Sequence, residues 1–329
     1  MQSQQTRVGQ SRYRARLALS LAAAAALLVV PAVHADDQRA AHDLLIQLVK
    51  RARIIDLSHT WEIKSPVASV NPPYSFALAA THGNTRGAFG DDNQLSFTSE
   101  IMNWSGQHGA PSIDAIGHIG RDGKLFGGVD AAAATSNLDG VGASGVGAHL
   151  AIDKFPNDLL ISRAVLLDVA RWKNGDARPL EPGYEISAKD LDETAKRFKV
   201  RIHRGDTVFI RTGWGPYFKS DAALYAGVAS PGPGVEAAEW LIKHGARIVG
   251  NDTLTFEKRP PVVLQPKFQV FPVHMRLIAD AGIYLIENLD LEALAAARAY
   301  QFAAVIPPLK VKGGTGSALR AFAITATDD

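Results

Sequence analysis

Residues 105–120 read SGQHGAPSIDAIGHIG and place three side chains of metal-binding chemistry close together: His108, Asp114 and His118. Imidazole nitrogens and carboxylate oxygens bind divalent metal ions, and histidine also exchanges protons near neutral pH. Because the chain has no cysteine, any metal must be held by imidazole, carboxylate or neutral oxygen donors. The spacing is compatible with a metal site at a glycine-rich bend, and equally with a capped turn that carries two unrelated histidines.

A second candidate cluster lies in FPVHMRLIADAGIYLIENLDLEAL, residues 271–294. His274 falls in a helical pattern, and Glu287 ends the apolar run IYLI, where an unpaired carboxylate is costly to bury. A metal ion, a histidine partner or a catalytic proton would each account for Glu287, and a salt bridge at the strand exit is the alternative. Since each cluster lacks a local partner, we expect the two to converge.

A short helix is predicted to position the first cluster. Ser112 is a suitable N-cap, and IDAIGHI can follow it as helix. On such a helix Asp114 and His118 lie four residues apart and therefore on one face. His108 would reach the start of the helix from the preceding glycine-rich turn.

Short apolar runs alternate with helical patterns along the rest of the chain. This predicts a single α/β domain with a mixed β-sheet or barrel-like core and flanking helices. Residues 64–95 are predicted to form a long surface loop. Strands are predicted at 53–60, 164–170, 207–213, 247–252, 283–288 and 300–306, and helices at 187–199, 234–245 and 273–282.

The first 35 residues have the pattern of a secretory signal peptide. Four arginines between residues 7 and 16 precede the apolar run 17–30, and PAVHA offers a cleavage site after Ala35. The mature domain would span 36–329, lie in the periplasm or outside the cell, and have no membrane contact. An uncleaved anchor is the alternative, although a run of about 14 residues falls short of the usual ~20.

Composition narrows the function classes further. The chain has 329 residues, 47% of them hydrophobic and 21% charged, as expected for a globular protein with a sizeable core. A formal net charge of +2, with no dense basic block beyond the N-terminus, gives no electrostatic case for a nucleic-acid partner.

Several ordered landmarks resemble the metal-dependent cyclase family, which includes bacterial kynurenine formamidase and isatin hydrolase. The family signature is His-x-Gly-Thr-His-x-Asp-x-Pro-x-His, whose first histidine, aspartate and last histidine fall on His108, Asp114 and His118. The resemblance covers roughly residues 50–325. The other landmarks are DLSHTW, FIRTGW, GNDTLTFE, FPVHMRLIADAGIYLIENLDL and PPLKVKGGTGSALR.

The resemblance implies a swivelling β/β/α fold and a divalent metal, Zn²⁺ or Mn²⁺. The implied metal ligands are His108, Asp114, His274 and Glu287, and the implied catalytic residues are Glu287 and His118, the latter as acid/base beside a metal-activated water. The implied reaction is hydrolysis of a small amide, formamide, lactam or lactone, at C–N bonds other than peptide bonds. It also implies a small-molecule substrate and a homo-oligomer of two or more chains.

The chain departs from the family signature at its centre. Ser112 stands where the middle histidine falls, residues 110–111 replace Gly-Thr, and Ile116 replaces the proline. An un-ionised hydroxyl binds zinc weakly, so Ser112 is a poor substitute for imidazole. An exported small-molecule-binding protein, built on a hydrolase scaffold with impaired catalysis, is therefore the alternative function.

Aromatic residues and one further histidine lie near the landmarks. Trp61, Trp104 and Trp214 either line an apolar pocket or pack in the core. His59, in DLSHTW, is an additional candidate for the site.

Overall fold

The computed structural model describes residues 35–72, 74–90, 94–107, 109–135 and 150–326. The chain divides after Arg51 into two units. The described part of the first unit is helix α1, Ala35–Arg51, and the second unit carries every other described element. The predicted signal peptide lies outside the described residues, apart from its last residue, Ala35, at the start of α1. Within these ranges, each helix is too short or too polar to cross a membrane.

Seventeen strands are formed by the described residues. Their bounds are β1 Arg53–Asp56, β2 Ser75–Ala80, β3 Ser99–Asn103, β4 Ser112–Asp114, β5 Lys124–Leu125, β6 Val129–Asp130, β7 Ile161–Asp168, β8 Glu185–Ile186, β9 Thr207–Arg211, β10 Gly232–Pro233, β11 Ile248–Asn251, β12 Val262–Val263, β13 Gln269–Val270, β14 Tyr284–Glu287, β15 Gln301–Val305, β16 Gly316–Ala318 and β17 Phe322–Thr325.

The helices lie between these strands. After α1 they are α2 His82–Thr85, α3 Ala131–Thr135, α4 Val169–Asn174, α5 Ala188–Arg197, α6 Tyr217–Ser220, α7 Ala222–Tyr225, α8 Val235–Lys243, α9 Pro272–His274 and α10 Glu292–Ala296. A π-helix, Met275–Asp280, continues α9 directly. Short 3₁₀ turns cover Phe126–Gly128, Ile152–Lys154 and Asn157–Leu159.

Nine strands build one curled, mixed sheet in the order β1-β17-β15-β7-β9-β11-β14-β4-β16. The central strands β7, β9, β11 and β14 run parallel, and the strands on both sides of them pair antiparallel. The sheet confirms the predicted α/β class, with a half-barrel core and flanking helices.

Both faces of the central strands are buried, as is usual for parallel strands covered by helices. Leu166 on β7 packs in one apolar cluster, and its neighbour Leu167 packs in the other, because successive side chains point to opposite faces. Residues from α5, α8 and the π-helix cover the second cluster, among them Leu191, Leu241 and Leu277.

The strands and helices predicted from apolar patterns are confirmed as β1, β7, β9, β11, β14, β15, α5, α8 and the α9–π-helix segment. The capping box of α5 is also present. Ser187 Oγ accepts from the Asp190 N–H, and the Asp190 carboxylate accepts from the Ser187 N–H.

Two local predictions are wrong. Residues 64–95 contain β2 and α2, and β2 pairs with β3 to form a hairpin. The segment after residue 111 is not a helix with Ser112 as N-cap, because residues 112–114 form β4. This strand lies between β14 and β16 and pairs with both. The backbone N–H and C=O groups of residues 112–114 therefore bond to strands that are distant in sequence, instead of to each other in a helix.

Candidate metal centre

Asp114, His274 and Glu287 meet although they come from three different elements. Asp114 ends β4, Glu287 ends β14, and His274 stands at the junction of α9 and the π-helix. His274 Nε2 lies 3.2 Å from Glu287 Oε1 and 3.8 Å from Asp114 Oδ2. One potential ligand atom from each residue lies within 4.8 Å of the others. The structure thus brings together three of the four residues that the sequence nominated as metal ligands.

The register of two strands explains how the carboxylates meet. β4 pairs antiparallel with β14, so that Asp114 lies opposite Leu285, and Ser112 lies opposite Glu287. Side chains two residues apart on a strand share a face. Ser112, Asp114 and Glu287 therefore point to the same side of the sheet.

Glu257 holds His274 in place. Its Oε1 accepts hydrogen bonds from His274 Nδ1 at 2.6 Å and from the His274 backbone N–H at 3.0 Å. Its Oε2 accepts from the Val273 N–H at 3.3 Å. With Nδ1 occupied by Glu257, the Nε2 atom of His274 is directed to Asp114 and Glu287.

The ionisation of the centre follows from burial and close contacts. Burial alone would lower the pKa of His274, but its hydrogen bonds to Glu257 and Glu287 overcome this effect and raise the pKa to about 10. Burial raises the pKa of Glu287 to about 7, against the opposing hydrogen bond from His274. Three carboxylates, those of Asp114, Glu257 and Glu287, surround a single imidazole.

The donor set fits a divalent cation. Asp114 Oδ2 is buried and has no hydrogen-bond partner within the described part of the chain. A buried carboxylate oxygen normally has a partner or a metal. Two carboxylate oxygens and one imidazole nitrogen are donors that both Zn²⁺ and Mn²⁺ accept.

His118 lies at the edge of the cluster. Its Nε2 is 3.9 Å from Asp114 Oδ1, and its side chain is 29% exposed. Its Nδ1 lies 3.2 Å from the amide nitrogen of Gln107, a residue that the sequence analysis did not single out. His108, the fourth nominated ligand, lies outside the described residues.

Ser112 occupies a buried position beside the centre. Only 1% of the residue is exposed, and the hydroxyl oxygen has no partner among the residues that the structure describes. It lies on the same face as Asp114 and directly opposite Glu287 in the strand register. A longer side chain at this position would be directed to the carboxylates.

Two of the three tryptophans near the sequence landmarks line clefts, and the third lies in the core. A cleft of about 400 Å³ is lined by Trp104 and by residues of the stretch 309–317. Another, of about 530 Å³, is lined by Trp61 and Tyr74, whose rings stack at 4.2 Å. Trp214 is buried in an apolar cluster, so the pocket-lining alternative is wrong for this residue.

His59 packs beside the loop that precedes β4. Its ring stacks on Phe218 with the centroids 4.3 Å apart, and its backbone N–H donates to the Ala110 carbonyl. Burial lowers the pKa of His59, against the opposing attraction of Asp290. His59 thus packs around this loop, and its buried Nε2 has no hydrogen-bond partner among the described residues.

The loop is also fixed by two buried polar residues that the sequence analysis missed. The Tyr225 hydroxyl donates to Asn288 Oδ1 at 2.8 Å, and Asn288 Nδ2 donates to the Gly109 carbonyl at 3.3 Å. Asn288 directly follows Glu287 and has a left-handed backbone with φ 60°. In the sequence, Asn288 could have been singled out by its position next to Glu287, a nominated metal ligand.

Residues 55–258 match the family model described as "Putative cyclase". The match covers more than half of the chain, and the chain belongs to the cyclase family. The family resemblance inferred from the sequence landmarks is thereby confirmed.

Solved structures and a curated relative agree with this assignment. The fold is similar to a structure described as a novel cyclase (TM-score 0.72, 24% identity, 86% of this chain and 90% of that one). It is also similar to isatin hydrolase A from Ralstonia solanacearum (TM-score 0.65, 21% identity, 87% and 97%). In sequence, the chain is 30% identical over 154 residues to an isatin hydrolase from Roseibium aggregatum. That match covers 44% of this chain and 54% of the relative, so the chain spans about half the length of the curated relative it matches.

Proposed function

We propose that the protein is a metal-dependent hydrolase that acts on a small amide, formamide, lactam or lactone. The observation that carries this proposal is the convergence of Asp114, His274 and Glu287, with Asp114 Oδ2 buried and unpartnered among the described residues. The similarity to isatin hydrolase supports the reaction class.

In the proposed site, Asp114, His274 and Glu287 hold a divalent cation, Zn²⁺ or Mn²⁺, and His108 is proposed as a further ligand. When bound, such a cation supplies Lewis acidity, which polarises a carbonyl group and lowers the pKa of water. The carboxylates of Asp114 and Glu287 place negative charge around this position. Glu257 keeps Nδ1 of His274 occupied, so that Nε2 is the nitrogen that faces the site.

His118 is the proposed acid/base group. It is partly exposed and lies beside Asp114. The cleft at Trp104 is the proposed entry for the substrate. Thr315 lines that cleft and also accepts a hydrogen bond from Gln107, the partner of His118. The cleft is therefore the proposed position for the non-reacting part of the substrate.

A binding protein without catalytic activity is the second candidate. The hydroxyl of Ser112, which is buried and has no partner among the described residues, favours it, since this residue stands where the family signature has a histidine ligand. If the weaker donor set does not retain a metal, the clefts would still accept a small aromatic or cyclic molecule.

Export and self-association complete the proposal. The arginines and the apolar run before Ala35 support secretion to the periplasm or beyond, and the family resemblance supports a homo-oligomer. A compound met outside the inner membrane is the proposed class of substrate.

The experiment combines metal analysis with a substrate screen. Purified protein is dialysed, its Zn and Mn content is measured, and N-formyl aromatics, lactams and lactones are tested for hydrolysis. His118→Ala should keep its metal and lose roughly 10²–10⁴ in turnover, as expected for loss of an acid/base group. His203→Ala, an exposed histidine, serves as the control. Metal-free protein that binds an aromatic ligand without turnover would support the binding protein instead.

A further inference from the structure

Arg259 differs from the other arginines in the interior of the protein. Among the described residues, six arginines are buried or half-buried, and five of them form ion pairs with carboxylates. Those five are Arg121, Arg163, Arg171, Arg211 and Arg276. Arg259 is half-buried and forms no ion pair within this part of the chain. A cation that is partly removed from water is costly unless it is paired, so the guanidinium is available to a negatively charged ligand.

Two hydrogen bonds hold Arg259 in a defined position. Its backbone N–H donates to the Ser230 carbonyl at 2.9 Å, and its Nη1 donates to the Ala226 carbonyl at 2.8 Å. Ala226 directly follows Tyr225, whose hydroxyl donates to Asn288 beside the centre. A guanidinium has five N–H donors, and the Ala226 carbonyl is the partner of one of them among the described residues. Several donors therefore remain for a ligand.

Arg259 also lies near the candidate metal centre. It follows Glu257, the carboxylate that holds His274, by two residues. Burial lowers the pKa of Arg259, and the attraction of Glu287 opposes this effect. Since the attraction between two charges falls with their separation, the guanidinium is within electrostatic range of Glu287, one of the three residues that meet at the centre.

The chemistry of the guanidinium selects the ligand. Its planar fork matches the two oxygens of a carboxylate and can hold both through parallel hydrogen bonds. The centre itself carries the carboxylates of Asp114, Glu257 and Glu287, which repel an anionic substrate. Because Arg259 places a positive charge near them, a substrate with a carboxylate of its own gains an attraction that a neutral substrate lacks.

We propose that Arg259 binds a carboxylate of the substrate, so that the substrate is a small amide, lactam or lactone with a carboxylate outside the bond that is hydrolysed. The inference rests on the proposed function and narrows its substrate class. Arg259 contributes to binding alone, and no proton moves to or from it. The acid/base role stays with His118, which lies beside Asp114.

The test compares pairs of substrates that differ by one charge. Formamidobenzoates with the carboxylate at each ring position are paired with the neutral formamidobenzamides, and pyroglutamate is paired with its amide. We expect the wild type to prefer the carboxylate member. Arg259→Gln should lower kcat/KM for that member by about 10- to 100-fold, mainly through KM, as expected for the loss of a hydrogen bond to a charged group. The same variant should leave kcat/KM for the neutral member nearly unchanged.

Two further variants separate binding from structure. Arg259→Lys keeps the charge and loses the planar fork, so it should recover part of the preference for the carboxylate member. Arg204→Gln, at an exposed arginine, is the matched control and should behave as the wild type. If the contact of Arg259 with Ala226 were its only role, Arg259→Gln would lower turnover on both members of a pair alike.

The two proposals fail in different ways. A wild type that hydrolyses the neutral members as well as the carboxylates, or equal losses on both members in Arg259→Gln, would overturn the role of Arg259. The absence of turnover on every substrate would instead overturn the proposed hydrolase. Isothermal titration of the wild type and Arg259→Gln with each pair then still tests the inference, and equal affinities for both members in the wild type would overturn it.

Discussion

His274 Nδ1 and Glu257 Oε1 lie 2.6 Å apart in the interior of the protein, with both side chains almost fully buried. This contact directs Nε2 of the same ring to two further carboxylates. A carboxylate behind a metal-binding histidine fixes the ring and raises its basicity as a ligand. Glu257 is therefore expected to control how well the centre holds a cation.

Glu257→Gln should weaken metal binding by about 10- to 100-fold, because one of the acceptors for the Val273 and His274 donors is replaced by an NH₂ group. Isothermal titration with Zn²⁺ and Mn²⁺ measures the effect. Glu193→Gln, which alters an exposed carboxylate paired with Lys196, is the matched control. Equal affinities in both variants would show that Glu257 has no influence on the metal.

Ser112→His should tighten metal binding, since its imidazole would lie opposite Glu287 and on the same face as Asp114. Without metal, the variant should be less stable by about 1–3 kcal/mol, because a larger side chain enters a packed position. Denaturation with and without Zn²⁺ separates the two effects. Ser112→Ala should change neither property much, and a Ser112→His protein that gains no affinity would show that this position does not face the ion.

The buried His59 predicts a pH dependence of stability. Burial lowers the pKa of His59 from the ordinary 6.5, so between the two values the unfolded chain binds more protons than the folded one. The stabilising contribution of neutral His59 to the free energy of unfolding is thus fully present above pH 6.5, and it is lost as the pH falls through the lowered pKa. Urea denaturation across this range should give a flatter pH profile for His59→Gln, while the exposed control His42→Gln should retain the wild-type slope. Identical slopes in all three proteins would contradict the assignment.

The predicted signal peptide can be tested on the exported protein. We expect the mature chain to begin near Asp36, because small residues at 33 and 35 precede the polar DDQRA stretch. N-terminal sequencing of periplasmic material gives the answer. Recovery of Met1, or of protein that fractionates with membranes, would support the uncleaved anchor.

Local patterns predicted the central strands because these contain continuous apolar runs, such as 164–167 and 284–286, that are buried. Residues 112–118 carried no such pattern. Asp114 and His118 have helical spacing, but the neighbours that make 112–114 a strand are β14 and β16, which are distant in sequence. The pairing of β4 with two strands that are distant in sequence depends on the tertiary fold, and local patterns in one sequence do not reveal it.

The candidate centre could be predicted from the sequence only in part. Asp114, His274 and Glu287 stood out because each is polar within an apolar segment, and the family resemblance joined them. Glu257 belonged to the landmark GNDTLTFE, yet nothing local showed that it turns back to His274, which lies 17 residues further along the chain. Gln107 and Asn288 make hydrogen bonds to neighbours that are distant in sequence and that only the fold brings near.

The most direct test of the central claim is a metal titration of chelator-treated protein, followed by turnover on the best substrate from the screen. We predict that activity returns with added Zn²⁺ or Mn²⁺ and reaches its maximum when the site is saturated with the ion. Asp114→Asn and Glu287→Gln should bind the ion poorly and recover little activity. Full turnover by metal-free protein, or wild-type affinity in both variants, would contradict the assignment of this centre.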